Sequence, residues 1–319
     1  MIDKNVITIG VELEFLVCDL PVDFQHFKEF DLVVDALKPM ADKLGVQVFQ
    51  TAIITTPGMC PSQSELFECF HVQDDGTIQP SSPTQRGVEV ATPILRNRTW
   101  ETVIPAMCKA LQTTFKIRCN SSTGLHVHIG IGQPYTFQHL KRFSKAVILF
   151  EDQMDNCHPV WRSGDQPSEG AGCYIKSCRN NRIFRYKTNP ECMKIIDTTF
   201  DADDLLAMVN CHPIKYDSCD KYYKYNLTNT WDYKTIEFRQ AAGTVNADKI
   251  LDWIRRVIMF VDRSISTSNK EFEDWSRIGV NDPKIYEQFG VPVPKAFNNT
   301  IDPVTFPHST PLGWGRQRG

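Results

Sequence analysis

The chain has 319 residues, of which 41% are hydrophobic and 23% are charged. This composition excludes disordered, collagen-like and low-complexity proteins, and it provides enough apolar side chains for a sizeable core. The 35 lysines and arginines nearly balance the 38 aspartates and glutamates, so the net charge is only −3. Such an even balance lacks the overall electrostatic signature of a protein that binds nucleic acid or a membrane surface, and we expect neither as a partner.

Hydropathy and cysteine usage indicate the compartment. No segment approaches 18 consecutive apolar residues, and the first ten residues lack the basic and apolar regions of a signal peptide. The 11 cysteines are scattered and include no Cys-x-x-Cys pair. They predict free thiols in a reducing environment, so we expect a cytoplasmic protein.

Strands and helices are predicted from apolar side chains at spacings of two and of three to four, and from helix N-caps such as Thr136 and Asn246. In chain order we predict a strand over 7–17, a helix over 24–44, a strand over 88–90, a helix over 99–117, a strand over 125–131, a helix over 136–154, a short helix over 203–209, a strand over 236–239 and a helix over 246–261. Pro39 marks a kink or break in the first helix, and Pro105 lies within the second. This mixture predicts an α+β fold. We assign residues 1–267 to a catalytic domain and 268–319 to an extension with little regular structure that wraps it.

The predicted strands share one chemical pattern. One face of each strand is apolar, because side chains two apart point the same way. The opposite faces carry carboxylates, imidazoles and a guanidinium: Glu12, Glu14, Glu89, His126, His128, Glu237 and Arg239. These charges could simply keep a sheet face solvated. If the strands are neighbours, however, four carboxylates would repel one another and require counter-cations, for which oxygen-rich sites select Mg²⁺ or Mn²⁺.

The His-x-His pair has two interpretations of its own. His126 and His128 point the same way from one strand, which suits a metal or an anionic ligand. Zinc hydrolases also use His-x-His. The excess of glutamate and the lack of a cysteine ligand cluster favour a harder metal than zinc.

Four segments carry a family resemblance, and they occur in a fixed order: Gly10-Val-Glu-Leu-Glu-Phe15, Gly87-Val-Glu-Val-Ala-Thr-Pro93, Thr123-Gly-Leu-His-Val-His-Ile-Gly130 and Thr235-Ile-Glu-Phe-Arg-Gln-Ala-Ala-Gly-Thr244. Two weaker matches accompany them, Asp74-Asp-Gly-Thr-Ile78 and Tyr223-Lys-Tyr-Asn-Leu-Thr228. Together they resemble the amidoligase family of the carboxylate–amine ligase superfamily, which also contains glutamine synthetase and glutamate–cysteine ligase. The resemblance spans residues 6–244.

The resemblance implies an antiparallel sheet curved into a glutamine-synthetase-like catalytic funnel, with helices packed on its outer face. It implies that two or three Mg²⁺ or Mn²⁺ ions and the phosphates of ATP lie on the concave face. The implied metal ligands are Glu12, Glu14, Glu89, His126 and Glu237. The implied phosphate-binding groups are His128 and Arg239.

The implied activity is an ATP-dependent ligase that joins a small, amino-acid-like carboxylic acid to an amine or ammonia through an acyl phosphate. Metals and arginine would neutralise the two anions that must meet. Three rival functions remain: a phosphagen-type kinase, a metal-dependent hydrolase that needs no nucleotide, and a binding module without catalysis. The last would be expected to have lost one or more of the seven matching residues.

Residues 162–187 are rich in Lys, Arg and Gly and suggest a mobile basic loop. It could fold over the site and bind ATP phosphates or a substrate carboxylate, or it could be a solvated loop. The basic residues proposed for nucleotide or substrate binding are Lys176, Arg179, Arg182 and Arg185.

Overall fold

The alternating segment near the start of the chain forms the central strand of a mostly antiparallel sheet. A computed structural model describes residues 6–23, 28–50, 67–164, 174–215 and 218–294. The strands are β1 (Thr8–Val17), β2 (Gln47–Gln50), β3 (Cys69–Gln73), β4 (Arg86–Ala91), β5 (Ile117–Arg118), β6 (Gly124–Gly130), β7 (Tyr225–Asn226) and β8 (Thr235–Ala242). Their order is β2-β3-β4-β1-β6-β8-β7, and β5 pairs with β1 off this path. Only the β2–β3 pair is parallel among these described strands.

The helices follow the same chain order as the predicted ones. They are α1 (Lys28–Leu44), α2 (Trp100–Thr114), α3 (Phe137–Asp155), α4 (Asn189–Thr198), α5 (Ala202–Val209), α6 (Asn229–Asp232), α7 (Ala247–Ser266), α8 (Asn269–Ile278) and α9 (Pro283–Gln288). The predicted α+β class is confirmed. No helix in the described ranges is both long enough and apolar enough to cross a membrane.

The apolar face of the sheet packs against helices. Ile9, Val11, Leu13 and Phe15 of β1 are at most 1% exposed and belong to one core cluster with side chains from α1, α2, α3 and α7. Helix α1 contacts β2, β3 and β4, while α7 contacts β6. Burying each such side chain stabilises the fold by about 1.5–3 kcal/mol relative to leaving it exposed. This packing leaves the opposite, polar face of β1 for a site.

Two helices, α3 and α7, begin at the N-cap residues that the sequence predicts. The Thr136 side chain accepts a hydrogen bond from the backbone N–H of His139 at 3.1 Å, and Asn246 accepts one from Lys249 at 3.1 Å. Each cap satisfies a donor that the first helical turn leaves without a partner. The described cysteines are free thiols, as predicted.

Two helix predictions need correction. Helix α1 continues through Pro39 without a break, and predicted residues 24–27 lie outside the described ranges. Helix α2 ends at Thr114 rather than at Ile117, because Ile117 pairs with Val17 in the sheet. Hydrogen bonding to β1, which is distant along the chain, outweighs the local helical pattern here.

The prediction of little regular structure after residue 267 is wrong for the described part, which contains α8 and α9. Ser268 and Glu271 form a capping box that starts α8. The Trp275 ring of α8 packs edge-on against Phe150 of α3, with centroids 6.5 Å apart. Local capping and aromatic packing therefore outweigh the Pro- and Asn-rich composition. Residues 295–319 lie outside the described ranges.

Candidate functional site

Antiparallel pairing brings the predicted charged side chains onto one face of the sheet. Strands β4, β1, β6 and β8 are consecutive neighbours, so the adjacency that a metal site requires is present. The ladders create three cross-strand pairs: Glu12 with His126, Glu14 with Glu89, and His128 with Glu237. Side chains directly opposite each other in such a ladder have Cβ atoms roughly 4.5–5.5 Å apart, close enough to share a ligand.

A β-bulge interrupts the β6–β8 ladder at the centre of this face. Leu125 pairs with Ala241 and Val127 with Phe238, so the two residues at 239–240 face the single residue His126. A bulge of this kind bends the strand and changes the direction of a side chain. Here it coincides with Arg239, which lines a cavity together with His126.

His126 contacts acidic side chains through both of its ring nitrogens. Its Nδ1 lies 2.9 Å from Glu12 Oε2 and 3.7 Å from Glu237 Oε1. Its Nε2 lies 3.4 Å from Glu14 Oε1. The ligand atoms of Glu12, His126 and Glu237 all lie within 4.8 Å of one another, a separation that a single cation could bridge. We call these three residues the first cluster.

A second cluster consists of Glu14, Asp75 and Glu89, whose carboxylate oxygens also lie within 4.8 Å of one another. Each carboxylate is oriented by a donor from the protein. The backbone N–H of Gly124 donates to Glu14 at 2.6 Å, and that of Thr77 donates to Asp75 at 2.7 Å. The side-chain amide of Gln73 donates to Glu89. A set of oriented, mostly buried carboxylates has the ligand chemistry of a Mg²⁺ or Mn²⁺ site.

The pKa of Glu89 in the second cluster and that of Glu12 in the first are shifted in opposite directions. Burial raises the pKa of Glu89 well above its usual value, and the neighbouring Glu12, Glu14 and Asp75 raise it further. Burial by itself would also raise the pKa of Glu12, but the charge of His128 and hydrogen bonds from both histidines outweigh it, so the pKa is lowered. The first cluster is therefore balanced by imidazoles, whereas the second concentrates negative charge.

His128 lies beside the first cluster, with Nε2 3.0 Å from Glu12 Oε1. Burial opposes its protonation, yet the charges of Glu12 and Glu237 outweigh burial, so the pKa of His128 is raised. The guanidinium of Arg239 contacts Glu237, and its Nε donates to the backbone carbonyl of Tyr174 at 3.4 Å. Arg239 and, in its protonated form, His128 thus flank the first cluster as positively charged donors.

Two asparagines that the sequence analysis did not single out position Glu237. The side-chain amides of Asn226 and Asn229 donate to Glu237 Oε2 at 2.8 and 3.0 Å, while Arg239 contacts the other oxygen. Asn226 stands in the weaker motif before the last strand, directly opposite Glu237 in the β7–β8 ladder. That motif was the sequence signal that could have identified Asn226. Asp75 likewise stands in the Asp74-Asp-Gly-Thr-Ile78 motif.

The four basic residues predicted to bind nucleotide or substrate make other contacts. Lys176 pairs with Asp220 at 2.5 Å, and Arg179 donates to the carbonyls of Phe184 and Lys187. Arg182 donates to the carbonyl of Lys215 at 3.2 Å, and Arg185 lies 4.7 Å from the ring centroid of Tyr186. The structure does not bring these four to the cavity beside His126, whose described lining is Glu14, Thr77, Gln79, Ser121, Ser122, His126, Arg162, Tyr174, Ile175 and Arg239. The arginine that this segment contributes to the cavity is Arg162.

The sequence profile of the family described as "putative amidoligase enzyme" matches residues 6–261, which contain every residue of both clusters. No curated protein matches the chain.

Proposed function

The chain belongs to the amidoligase family, a family of ligase-type enzymes, and from that membership we propose an ATP-dependent carboxylate–amine ligase. The proposed enzyme joins a small, amino-acid-like carboxylic acid to an amine or ammonia through an acyl phosphate. We also propose a cytoplasmic location, where ATP is abundant and cysteines remain thiols.

The observation that carries this proposal is that His126 of the first cluster also contacts Glu14 of the second and lines the same cavity as Arg239. Glu12, His126 and Glu237 would hold one divalent ion, and Glu14, Asp75 and Glu89 would hold another. Bound Mg²⁺ or Mn²⁺ supplies charge neutralisation for phosphoryl transfer. The raised pKa of Glu89, caused first by burial and then by the surrounding carboxylates, supports a site that is incomplete without cations.

The proposed reaction has two balanced steps. In the first, a carboxylate oxygen of the substrate attacks the γ-phosphorus of ATP, the bond to the β-phosphate oxygen breaks, and ADP leaves. In the second, the amine nitrogen attacks the acyl carbon, the carbon–oxygen bond to phosphate breaks, inorganic phosphate leaves and the nitrogen loses a proton. Phosphorylation is needed because a free carboxylate is a poor acyl donor.

Arg239 and His128 are suited to the first step. The planar guanidinium of Arg239 presents parallel N–H donors, which match phosphoryl oxygens better than a lysine ammonium does. The carboxylates of Glu12 and Glu237 outweigh burial and raise the pKa of His128. The raised pKa favours the protonated imidazole, which can donate from both ring nitrogens. Preorganised donors of this kind stabilise charge that develops in the transition state.

A screen of carboxylic acids crossed with amines tests the proposal, with ADP release and product mass as paired readouts. We expect ADP and a condensed product only when ATP, a divalent ion, the acid and the amine are all present. Hydroxylamine in place of the amine should trap the acyl phosphate as a hydroxamate.

Other outcomes identify the rival activities. A stable phosphorylated product formed without an amine indicates a phosphagen-type kinase. Turnover without nucleotide indicates a metal-dependent hydrolase. Release of AMP and pyrophosphate indicates an acyl adenylate and contradicts the proposed chemistry.

A further inference from the structure

Arg162 is a buried cation at the wall of the cavity. It ends a short 3₁₀ helix (Val160–Arg162), and only 3% of its surface is exposed. Among the described residues, no carboxylate forms an ion pair with it, whereas Arg239 is paired with Glu237. Burial lowers the pKa of Arg162 to about 10, and the charge of Glu14, another residue of the cavity wall, offsets the effect of burial only in part.

The guanidinium of Arg162 is held in place by the backbone of the bulge. Its Nη2 donates to the carbonyl of Arg239 at 2.6 Å, and its Nε donates to the carbonyl of Gln240 at 3.3 Å. These two bonds orient the planar group but supply no negative charge. The hydrogens of Nη1 make no described hydrogen bond within the protein, while the residue lines the cavity.

The glycine opposite leaves room for this arrangement. A Cβ atom at Gly124 would lie 2.9 Å from Arg162 Nη2 and 2.9 Å from His126 Nε2, which is closer than carbon approaches such atoms. A side chain at residue 124 would therefore push into the space where the arginine and the first cluster meet. Glycine at residue 124 therefore leaves the space that the Arg162 and His126 side chains occupy.

The remaining lining indicates the class of anion. Beyond the two arginines, His126 and Glu14, the described wall consists of the uncharged residues Thr77, Gln79, Ser121, Ser122, Tyr174 and Ile175. One guanidinium and a few neutral hydrogen-bonding groups suffice to bind a carboxylate, while Arg239 and the proposed metal ions would serve the triphosphate. Hydroxyl and amide groups at the wall suit the polar remainder of a small, amino-acid-like molecule.

We propose that Arg162 binds the carboxylate of the acid substrate, in a subsite formed with the hydroxyl- and amide-bearing wall of this cavity. The assignment rests on the proposed function, because it names which part of the ligase site receives the acid. Binding of the anion would compensate the buried charge of Arg162. Arg162 positions the acid beside Arg239, whose main-chain carbonyl it already contacts.

A nucleotide-free binding experiment tests the subsite. The probes are the sodium salts of acetate, succinate, glutarate, L-aspartate and L-glutamate, with sodium chloride at equal ionic strength as the reference. We expect at least one carboxylate to raise the melting temperature of the wild-type protein. In Arg162→Gln its dissociation constant should rise at least tenfold, and Arg162→Lys should weaken binding less because it keeps the charge. Arg277→Gln, which removes an exposed arginine of α8, should bind like the wild type.

A second arm uses the magnesium complex of a non-hydrolysable ATP analogue. We expect its affinity to change less than threefold in both Arg162 variants. A loss of nucleotide affinity with unchanged carboxylate affinity would assign Arg162 to a phosphate instead and overturn the proposal. The proposal is also overturned if no carboxylate stabilises the wild type, or if carboxylate affinity is unchanged in whichever Arg162 variant folds. Since no turnover is measured, failure of the ligase assay would contradict the proposed function without changing this result.

Discussion

Glu14 and Glu89 lie directly opposite each other across β1 and β4, and only 3% and 4% of their surfaces are exposed. Asp75 approaches the same pair from the segment after β3. Like charges opposite each other in a ladder are destabilising, and burial strengthens the repulsion because water no longer screens it. In the metal-free protein, burial and this repulsion raise the pKa of Glu89, and a bound cation would relieve the same repulsion.

The first prediction concerns the pH dependence of the metal-free protein. Burial and the neighbouring carboxylates raise the pKa of Glu89 in the folded state. A raised folded-state pKa means that stability is fully present below the unfolded value near 4.3 and is lost as pH rises through the folded value. In the presence of EDTA, Glu89→Gln should therefore gain stability relative to the wild type as pH rises, by up to about 1.4 kcal/mol per pH unit.

Urea unfolding of both proteins between pH 5 and pH 8 measures this difference. Glu68→Gln is the matched control, because the side chain of Glu68 is 64% exposed. Its free energy of unfolding should differ from that of the wild type by a constant amount at every pH. Parallel curves for Glu89→Gln and the wild type would show that Glu89 titrates normally.

The second prediction concerns metal stoichiometry. We expect the wild-type protein to bind at least two Mn²⁺ ions in the presence of nucleotide, because the two clusters present separate sets of ligands. Asp75→Asn should lose one ion, since it removes a charged ligand of the second cluster while an asparagine oxygen can still accept the hydrogen bond from Thr77.

Isothermal titration calorimetry with Mn²⁺ compares the variants. Asp74→Asn changes the adjacent, exposed aspartate and should retain the wild-type stoichiometry. Glu237→Gln should lose the ion of the first cluster instead. Equal stoichiometry in Asp75→Asn and the wild type would remove Asp75 from the metal site.

Sequence analysis could locate the charged strand faces because alternation is a local property. The strands that carry Glu12, Glu89 and Glu237 were predicted with their polar side chains on one face, and the structure places those strands side by side. The β-bulge at residues 239–240 could not be predicted, because an extra residue in a ladder is visible only against its partner strand.

The cavity wall was harder to predict for a related reason. The segment 162–187 contains several basic residues, and nothing in their spacing shows that Arg162 is the one that lines the cavity. That depends on the backbone carbonyls of the bulge, which are 77 and 78 residues away along the chain. Helix α8, by contrast, had a local signal in the Ser268–Glu271 capping box, although the surrounding composition suggested a loop.

The third prediction concerns a buried ion cluster that supports the site. Lys224 is 1% exposed, and its Nζ lies 3.2 Å from Glu151 Oε1 and 2.5 Å from Asp155 Oδ2. Its backbone carbonyl accepts the N–H of Arg239 at 2.8 Å, so the cluster is linked to the strand that carries the candidate catalytic arginine. Lys224→Met leaves two carboxylates without their cation.

We expect Lys224→Met to lower the free energy of unfolding by about 3–5 kcal/mol, the usual cost of removing one partner from a buried ion pair. Lys270→Met is the matched control, because the side chain of Lys270 is 82% exposed and its pair with Asp274 is solvated. It should leave the free energy of unfolding close to that of the wild type. Urea denaturation measures both, and a similarly small loss in Lys224→Met would mean that the carboxylates are neutral when buried.

The fourth prediction concerns the chemical step. Arg239 lines the cavity, contacts Glu237 and donates through Nε to the carbonyl of Tyr174. Arg239→Lys keeps the positive charge beside Glu237, so the fold and the Mn²⁺ stoichiometry should stay close to those of the wild type. It loses the planar fork that can meet two phosphoryl oxygens at once.

Because that fork is needed most when charge spreads over the phosphoryl oxygens, the loss should appear mainly in kcat, on the order of 10²–10³-fold. Steady-state kinetics of ADP release measure it, and a thermal melt of the same sample reports on the fold. Arg277→Lys, at an exposed site on α8, should keep wild-type kinetics. If Arg239 serves only to neutralise Glu237, lysine will replace it well, and the kcat of Arg239→Lys will stay within a few-fold of the wild type.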